Sequence, residues 1–586
     1  MEKEIIKLLK QKINENYSIE LDEIKLENPP KKDLGDFAFG CFVLSKDLKK
    51  SPAQISQELA GIIKNEDIIE EASAAGPYLN IKVSKSIFTN SFYMLYNYLY
   101  NDKNYFTGNI DLYKGKTVVI DYIGANVGKP LHIGHMCTPN QGQAIINVYR
   151  KLGYKVIADS HIGDWGIIFG KLIKAYKLWG NEEKLHENAI EHLLELYVKA
   201  TDEAEKHSHL DEDYRNEFKL LSEGNLESVG LWREFTKYSI DAAQVQLDRL
   251  HIKPDYNIGE SFYEGLGLPK MEDYPDLKYD MHSIVEELIK KGIATQNEDG
   301  SVGVVFDEEE KIPSCVLQKR DGTHGYLASD LAAIKYRMEN WAPEKIVYFV
   351  DVRQQLHLKQ AFTIAKKVGW LGNTELMHAY NGFISLKDGA MSTRKGRIIK
   401  LDKLLDEAEE RAKKILLEKR DDITGSELEE LSKIIGIGAI KYGYLKKSRE
   451  TDVVFDWDEF MSFEGNSGPY IQYAYVRAVR ILENYGKSLS EENIGSLELS
   501  EEVELVKAIG SYFFILEKTK DTAMPHHLCA YAYDLTKTFN AFYNNVPVLN
   551  ETDESKKMIR LKLVKLFSLV IKDCFNLLGI DMPEKM

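Results

Sequence analysis

The sequence predicts a multidomain α/β protein, with a parallel-sheet core, a smaller α+β module before it and an all-α region after it. Three observations lead there. The chain has 586 residues, more than one domain usually holds, and 44% of them are apolar, enough for several cores. Thr117-Val118-Val119-Ile120 is a β-branched run, Ala144, Ile145, Val148 and Tyr149 recur at helical spacing, and Lys155-Val156-Ile157-Ala158 reads as a second strand, which together make a βαβ unit. From about residue 441 onward helical patterns dominate, broken near Lys487 to Ser496 by a polar loop.

Taken in order, residues 1–108 hold amphipathic stretches around Ile5-Ile6-Leu8-Leu9-Ile13 and Ile55-Leu59-Ile62-Ile63, with a strand-like Tyr78–Val83. Residues 109–440 contain the βαβ unit. After its first strand, Gly124, Gly128 and Pro130 break the pattern, and Thr138-Pro139 reads as a polar cap followed by proline at the first helical position. An acidic segment near 181–260, with Ile190, Leu193, Leu194, Leu196 and Tyr197, reads as a helical insertion. Residues 441–586 form the helical end. No internal repeat or low-complexity tract is evident.

Composition narrows the setting. No 18-residue apolar run is present and Met1-Glu2-Lys3-Glu4-Ile5-Ile6 is no signal peptide, so a cytoplasmic protein with no membrane partner is expected. Cys41, Cys137, Cys315, Cys529 and Cys574 are scattered and odd in number, which argues against both a disulfide framework and a zinc site. A net charge of −16 taken alone argues against a nucleic-acid partner. Cationic clusters at Lys441 to Arg449 and at Arg477 with Arg480 offset that, since beside Tyr470, Tyr473 and Tyr475 they could pair phosphates and stack bases. The same tyrosines also fit a helix core.

Two short stretches carry chemistry. His132-Ile133-Gly134-His135 lies where the first strand gives way to a loop, a place where parallel sheets collect ligands. Two imidazoles there can donate to phosphate oxygens while glycine permits close approach of a nucleotide. Far downstream, Met391-Ser392-Thr393-Arg394-Lys395-Gly396 supplies cations, as does Lys129. Together they read as two halves of an ATP site for nucleotidyl transfer, which needs positioning and charge neutralisation rather than an enzyme nucleophile. Alone, the first could be a satisfied loop pair or a metal site and the second a solvated basic turn. The absence of H-E-x-x-H or a cysteine cluster weakens the metal alternative.

In this order the motifs resemble the class I aminoacyl-tRNA synthetases, and in detail the arginyl-tRNA synthetase family. The resemblance is carried by Asn126 through His135, His161-Ile162-Gly163-Asp164-Trp165-Gly166, Asp321-Gly322-Thr323, Gln354-Gln355-Leu356-His357 and Met391 through Gly396. Gly35-Asp36-Phe37-Ala38, Ala75-Gly76-Pro77, Gly468 through Ala474 and Leu578 through Met586 extend it to nearly the whole chain.

That resemblance implies a Rossmann-like catalytic core, an N-terminal domain touching the tRNA elbow and a C-terminal anticodon-binding domain. It implies activation of L-arginine by ATP, with Mg2+ carried by the phosphates and no zinc, then transfer to tRNA(Arg), by a monomer. The implied catalytic residues are His132, His135, Lys129, Arg394 and Lys395, with ATP held by His132, Gly134, His135, Met391 and Ser392. Arginine falls to Asp121, Asn126, Tyr326, Asp330 and Gln354, where carboxylates suit a guanidinium. tRNA falls to Tyr78, Asn80, Tyr543 and Met586.

Departures are local. The family's two lysines in the second loop are Ala390 and Thr393 here, a loss that Lys129 is expected to meet, with Arg394 and Lys395 as further candidates. Ile123-Gly124-Ala125 replaces Ser-Ser-Pro. Cys137-Thr138-Pro139 replaces Arg-Ser-Thr, so the following helix is expected to start late or kink. A small-molecule nucleotidyltransferase or a tRNA-binding paralogue without catalysis are the other readings of these motifs.

Overall fold

The computed structural model describes the chain apart from residues 1, 28, 32–33, 102–109, 208, 387–388, 391–398, 421 and 493–494. It divides into two compact units, one of residues 1–107, 474–513 and 534–571, the other of residues 108–473, 514–533 and 572–586.

The first unit contains helices α1 (Glu2–Tyr17), α2 (Phe42–Leu48), α3 (Pro52–Ile63) and α4 (Lys85–Tyr96) and an antiparallel sheet. Its strand order is β1 (Leu26–Glu27), β2 (Phe37–Gly40), β4 (Tyr78–Val83), β3 (Ile69–Ala75). Helix α1 buries Ile5, Leu8, Leu9 and Ile13, a spacing that puts one stripe inward. Helix α3 begins where it does because Ser51 accepts from the Gln54 N–H, the Gln54 side chain answers the Ser51 N–H, and Pro52 fits the first turn. Among the C-terminal helices of this unit, Arg560 Nε meets Glu502 Oε1 at 2.7 Å, both side chains being buried.

The second unit is built on a parallel sheet ordered β11 (Glu375–His378), β10 (Lys345–Tyr348), β5 (Thr117–Asp121), β6 (Lys155–Asp159). Val118, Val119 and Ile120 are fully buried, as a central parallel strand covered on both faces requires. Helix α5 (Thr138–Lys151) links β5 to β6, and α6 (Ile167–Trp179) follows. Helices α7 (Glu182–Lys206), α8 (His209–Ser222) and α9 (Leu226–Arg249) form the acidic insertion, packed with α6 around Trp165, Phe169, Leu172, Trp232 and Phe235. After α10 (Glu260–Tyr263) and α11 (Met281–Lys290) come a small sheet, β7 (Thr295–Gln296), β8 (Val302–Val304) and β9 (Cys315–Gln318), then α12 (Tyr326–Trp341) and α13 (Gln355–Val368). A core of Val119, Ile157, Leu331, Ile334, Ile346, Leu358 and Ile364 joins the sheet to the last two helices.

Three local expectations are corrected. Thr138 is the first residue of α5 rather than its cap; Cys137 holds the cap position without a side-chain bond. Pro139 sits in the first turn, where its missing N–H has no helical acceptor to lose, so α5 runs to Lys151 without the late start or kink. The cluster Lys441 to Arg449 offers little to phosphates: Lys441 and Arg449 are buried, and Lys446 pairs with Glu459 at 2.8 Å. Lys441 Nζ donates to the carbonyls of Leu250 and Gly579, and Arg449 Nη1 donates to the Tyr380 carbonyl at 2.7 Å. These cations satisfy backbone carbonyls inside the unit. The five cysteines are free thiols, all but Cys315 buried.

Candidate active site

Beyond β5 the chain forms a short 3-10 turn, Ile133–Met136, closed by its own imidazoles. His132 Nδ1 accepts from the Gly134 N–H at 3.0 Å. His135 Nδ1 lies 3.0 Å from the His132 N–H and 3.2 Å from the His132 carbonyl, and the shorter contact makes it an acceptor. With both Nδ1 atoms accepting, the protons reside on Nε2, leaving each ring one donor for a ligand. Burial holds both rings below the ordinary imidazole range, His135 at about 4 with the neighbouring His132 contributing. They are neutral near pH 7. Gly134 has no room for a side chain, since a Cβ would lie 2.7 Å from the His132 ring.

The second signature loop, with Met391, Ser392, Arg394 and Lys395, lies outside the described residues. Its flanks are informative. It is entered from a hairpin in which Ser385 pairs with Ala390. On leaving it, Lys400 pairs antiparallel with His132, the Ile133 N–H donates to Ile399 O, and the Leu401 N–H donates to Leu131 O, both at 3.0 Å. The end of one loop is therefore stitched to the start of the other. The insertion reaches residues flanking both stretches: Lys400 pairs with Glu191 of α7 at 2.6 Å, and the exposed Lys129 holds Nζ 5.5 Å from the centre of the Tyr197 ring, which Lys171 also approaches at 5.5 Å.

At the carboxyl edge of the sheet, register sets His378, Tyr348, Asp121 and Asp159 side by side on four adjacent strands. Two carboxylates on neighbouring parallel strands need a cation between them. Arg337 of α12 supplies it, Nη2 reaching Asp121 Oδ2 and Asp159 Oδ2 at 2.7 Å each. This corrects the expectation that Asp121 offers a free carboxylate to a ligand, because its Oδ2 is engaged by a fully buried guanidinium of the chain itself. Burial pushes Asp159 up, against the pull of Arg337, and Asp121 adds to the rise.

Next to this triad lies an acidic group of a different kind. Asp330, one turn along α12 from Tyr326, bonds to His357 of α13; burial lifts its carboxyl, but that hydrogen bond together with the charges of His357, His161 and Arg337 holds it low. His357 is raised by the same bond against its own burial. Tyr326 is 71% exposed at the start of α12, and Gln354 and Asn126 are exposed as well. Asn126 bridges Gly163, where a Cβ would strike its amide oxygen at 2.5 Å. His161 sits within the field of Asp121, Asp330 and Glu260; burial pulls it down and the carboxylates raise it overall. Glu260 was not singled out from the sequence. The only signal available was a lone acid after Gly259 in a segment with no periodicity.

The four residues expected to meet tRNA are placed unequally. The Tyr78 ring meets Phe42 edge-on at 5.6 Å beside an exposed Phe42 face, while Asn80 is buried within the sheet at 3% exposure. Tyr543 is 41% exposed and the Arg477 guanidinium lies 4.5 Å from its ring centre, whereas Met586 is 9% exposed. Burial leaves the side chains of Asn80 and Met586 little surface for a partner. A cavity of about 960 Å³ bordered by His251, Glu409, Lys441 and Asp581 includes none of the signature residues.

A family model described as tRNA synthetases class I (R), catalytic domain, matches residues 95–457, which include the two loops and the carboxylate edge. The chain belongs to the arginyl-tRNA synthetases. An arginyl tRNA synthetase N terminal domain model matches residues 3–83 and a DALR anticodon binding domain model residues 471–586. An arginine–tRNA ligase of Clostridium botulinum (strain Alaska E43 / Type E3) is 38% identical over 98% of this chain and 99% of its own. One from Clostridium perfringens (strain 13 / Type A) is 39% identical over 99% of both. Among solved structures, the arginyl-tRNA synthetase of Plasmodium falciparum matches with a TM-score of 0.79 at 25% identity, over 100% of this chain and 99% of its own. That of Thermus thermophilus matches in fold with a TM-score of 0.78 at 23% identity over the full length of both.

Proposed function

We propose that this arginyl-tRNA synthetase family member activates L-arginine with ATP to arginyl-adenylate, releasing pyrophosphate, and transfers the arginyl group to the 3′ end of tRNA(Arg). The observation that supports this most is the pairing of Lys400, just after the second signature stretch, with His132 in the first. In the first step an arginine carboxylate oxygen attacks the α-phosphorus and the bond to the β-phosphate oxygen breaks. His132 and His135 donate from Nε2 to the phosphate oxygens as charge builds there. Gly134 lets the nucleotide lie close, with Met391 and Ser392 completing its grip. Lys129 neutralises the departing pyrophosphate in place of the loop's missing lysines, aided by Arg394 and Lys395. Magnesium enters with ATP, held by the phosphates themselves.

Asp330, Tyr326, Gln354 and Asn126 receive the amino acid, and Asp121 acts through Arg337 to keep that floor rigid. Lysine, ornithine or citrulline would leave a carboxylate poorly paired, so selection takes place at first binding. Tyr78 and Tyr543 remain the candidates for tRNA contact by virtue of their exposed edges. Arginine-dependent ATP–pyrophosphate exchange, measured with and without tRNA(Arg), tests the assignment; exchange with arginine in at least one condition is expected, and none in either defeats it.

A further inference from the structure

The loop that carries Lys129 leaves β5 through a turn that its own sequence resists. The Gly124 N–H donates to Tyr122 O at 3.1 Å, and Ile123 between them has a φ of +80°, which makes it the centre of a three-residue γ-turn of the rare, strained hand. A β-branched residue stays in that region only where its surroundings over-determine it. Here they do. Ile123 is buried, and with Val127 and Lys129 it borders a residual space of about 20 Å³ that Ser239, Ala243 and Leu247 of α9 also border.

The other end of the loop is held by the same helix. The buried Gly128 N–H donates to Ser239 Oγ at 3.0 Å, and that hydroxyl, itself buried, gives its own proton to Phe235 O at 2.7 Å. The Gly128 N–H has no other acceptor among the described residues. Gly128 is also fixed by its backbone, with a φ of +72° and a Cβ position 3.0 Å from Leu172. Between the two anchors the Val127 N–H donates to Gly163 O at 3.2 Å and the Gly163 N–H to Ala125 O at 3.0 Å, which holds Asn126 independently of α9. Lys129 follows Gly128 directly, and its ammonium has no carboxylate partner among the described residues. A lysine is a point charge on a flexible stem, so what fixes residue 128 sets where that charge can reach. We propose that α9 aims Lys129 for the activation step, with Ser239 and Ile123 as its positioning residues. This rests on the role given to Lys129 above.

The test is arginine-dependent ATP–pyrophosphate exchange by the full chain with tRNA(Arg) present, on wild type, Ser239→Ala, Lys129→Ala and the double variant. Ser239→Ala is expected to lower kcat on the order of fivefold with KM for arginine unchanged, because Asn126 keeps its bridge to Gly163. Since Ser239 acts through Lys129, the double variant exchanges as fast as Lys129→Ala alone. Damage to packing would instead slow both backgrounds by the same factor. Wild-type exchange by Ser239→Ala, or a loss that multiplies with that of Lys129→Ala, overturns the proposal. Should Ser239→Ala not fold, Ile123→Gly, which frees the turn, replaces it in the same cycle with the same expected and contrary outcomes. A Lys129→Ala enzyme with the wild-type rate removes the role of Lys129, and the proposal with it.

Discussion

Two pairs of acidic groups stand at the same sheet edge and behave oppositely. Asp121 and Asp159 share the guanidinium of Arg337 and form a closed floor. Asp330 instead bonds to His357, and the half-buried Glu260 has no hydrogen-bond or ion-pair partner among the described residues. Residue type does not distinguish the pairs. What distinguishes them is the partner the fold supplies: a fully buried arginine for the first pair, a titratable histidine for Asp330 and none among the described residues for Glu260. The same division separates Lys441, turned onto carbonyls, from Lys129, whose ammonium remains exposed over Tyr197.

The largest expected effect breaks the closed pair. Arg337→Met leaves two buried carboxylates without their cation and should cost about 3–5 kcal/mol in urea unfolding, part of it recovered by adding Asp121→Asn and Asp159→Asn. On the open side, Asp330→Asn should fold normally yet raise KM for arginine on the order of a hundredfold in pyrophosphate exchange, because a ligand charge loses its acceptor. Lys129→Ala should lower the exchange rate on the order of tenfold or more with arginine affinity, measured by calorimetry, unchanged.

Glu260 sharpens the comparison through stability. Its folded value, about 7, lies above the ordinary 4.5, so the free carboxyl stabilises the fold below the ordinary value and that contribution is lost as pH rises through about 7. At pH 8, Glu260→Gln should therefore be more stable than wild type by about 2 kcal/mol in urea unfolding, with no gain at pH 4. The smallest effect concerns the ring under the exposed lysine: Tyr197→Leu should slow exchange about two- to fivefold by releasing the Lys129 ammonium, with unchanged KM for arginine.

Much of this was legible in the sequence because it depends on local pattern. The β-branched run before His132, the helical spacing after it and the second strand gave the βαβ unit, and Tyr326 with Asp330 four residues later identified one face of α12. What was not legible depends on contacts between distant residues. Arg337 is 216 residues from Asp121, inside a helix where an arginine ordinarily faces solvent. A hint existed, since β5 and β6 both end in aspartate and parallel neighbours in register bring such residues together. Lys441 misled because polar type suggests a surface, but the packing of the helix Gly425–Leu445 turned it inward; Asn80, drawn from the resemblance, is covered although it shares a face of β4 with the exposed Lys82. Pro139 misled because a helix tolerates proline in its first turn, and the turn started one residue earlier than the cap pattern implied.

The central claim is that the guanidinium of arginine is received at Asp330 while the pair closed by Arg337 stays shut. A crystal structure of the full chain with L-arginine tests it most directly. The substrate guanidinium is expected within hydrogen-bond distance of Asp330, with Arg337 still bridging Asp121 and Asp159. A guanidinium seated on Asp121 with Arg337 displaced, or one that does not reach Asp330, would contradict it.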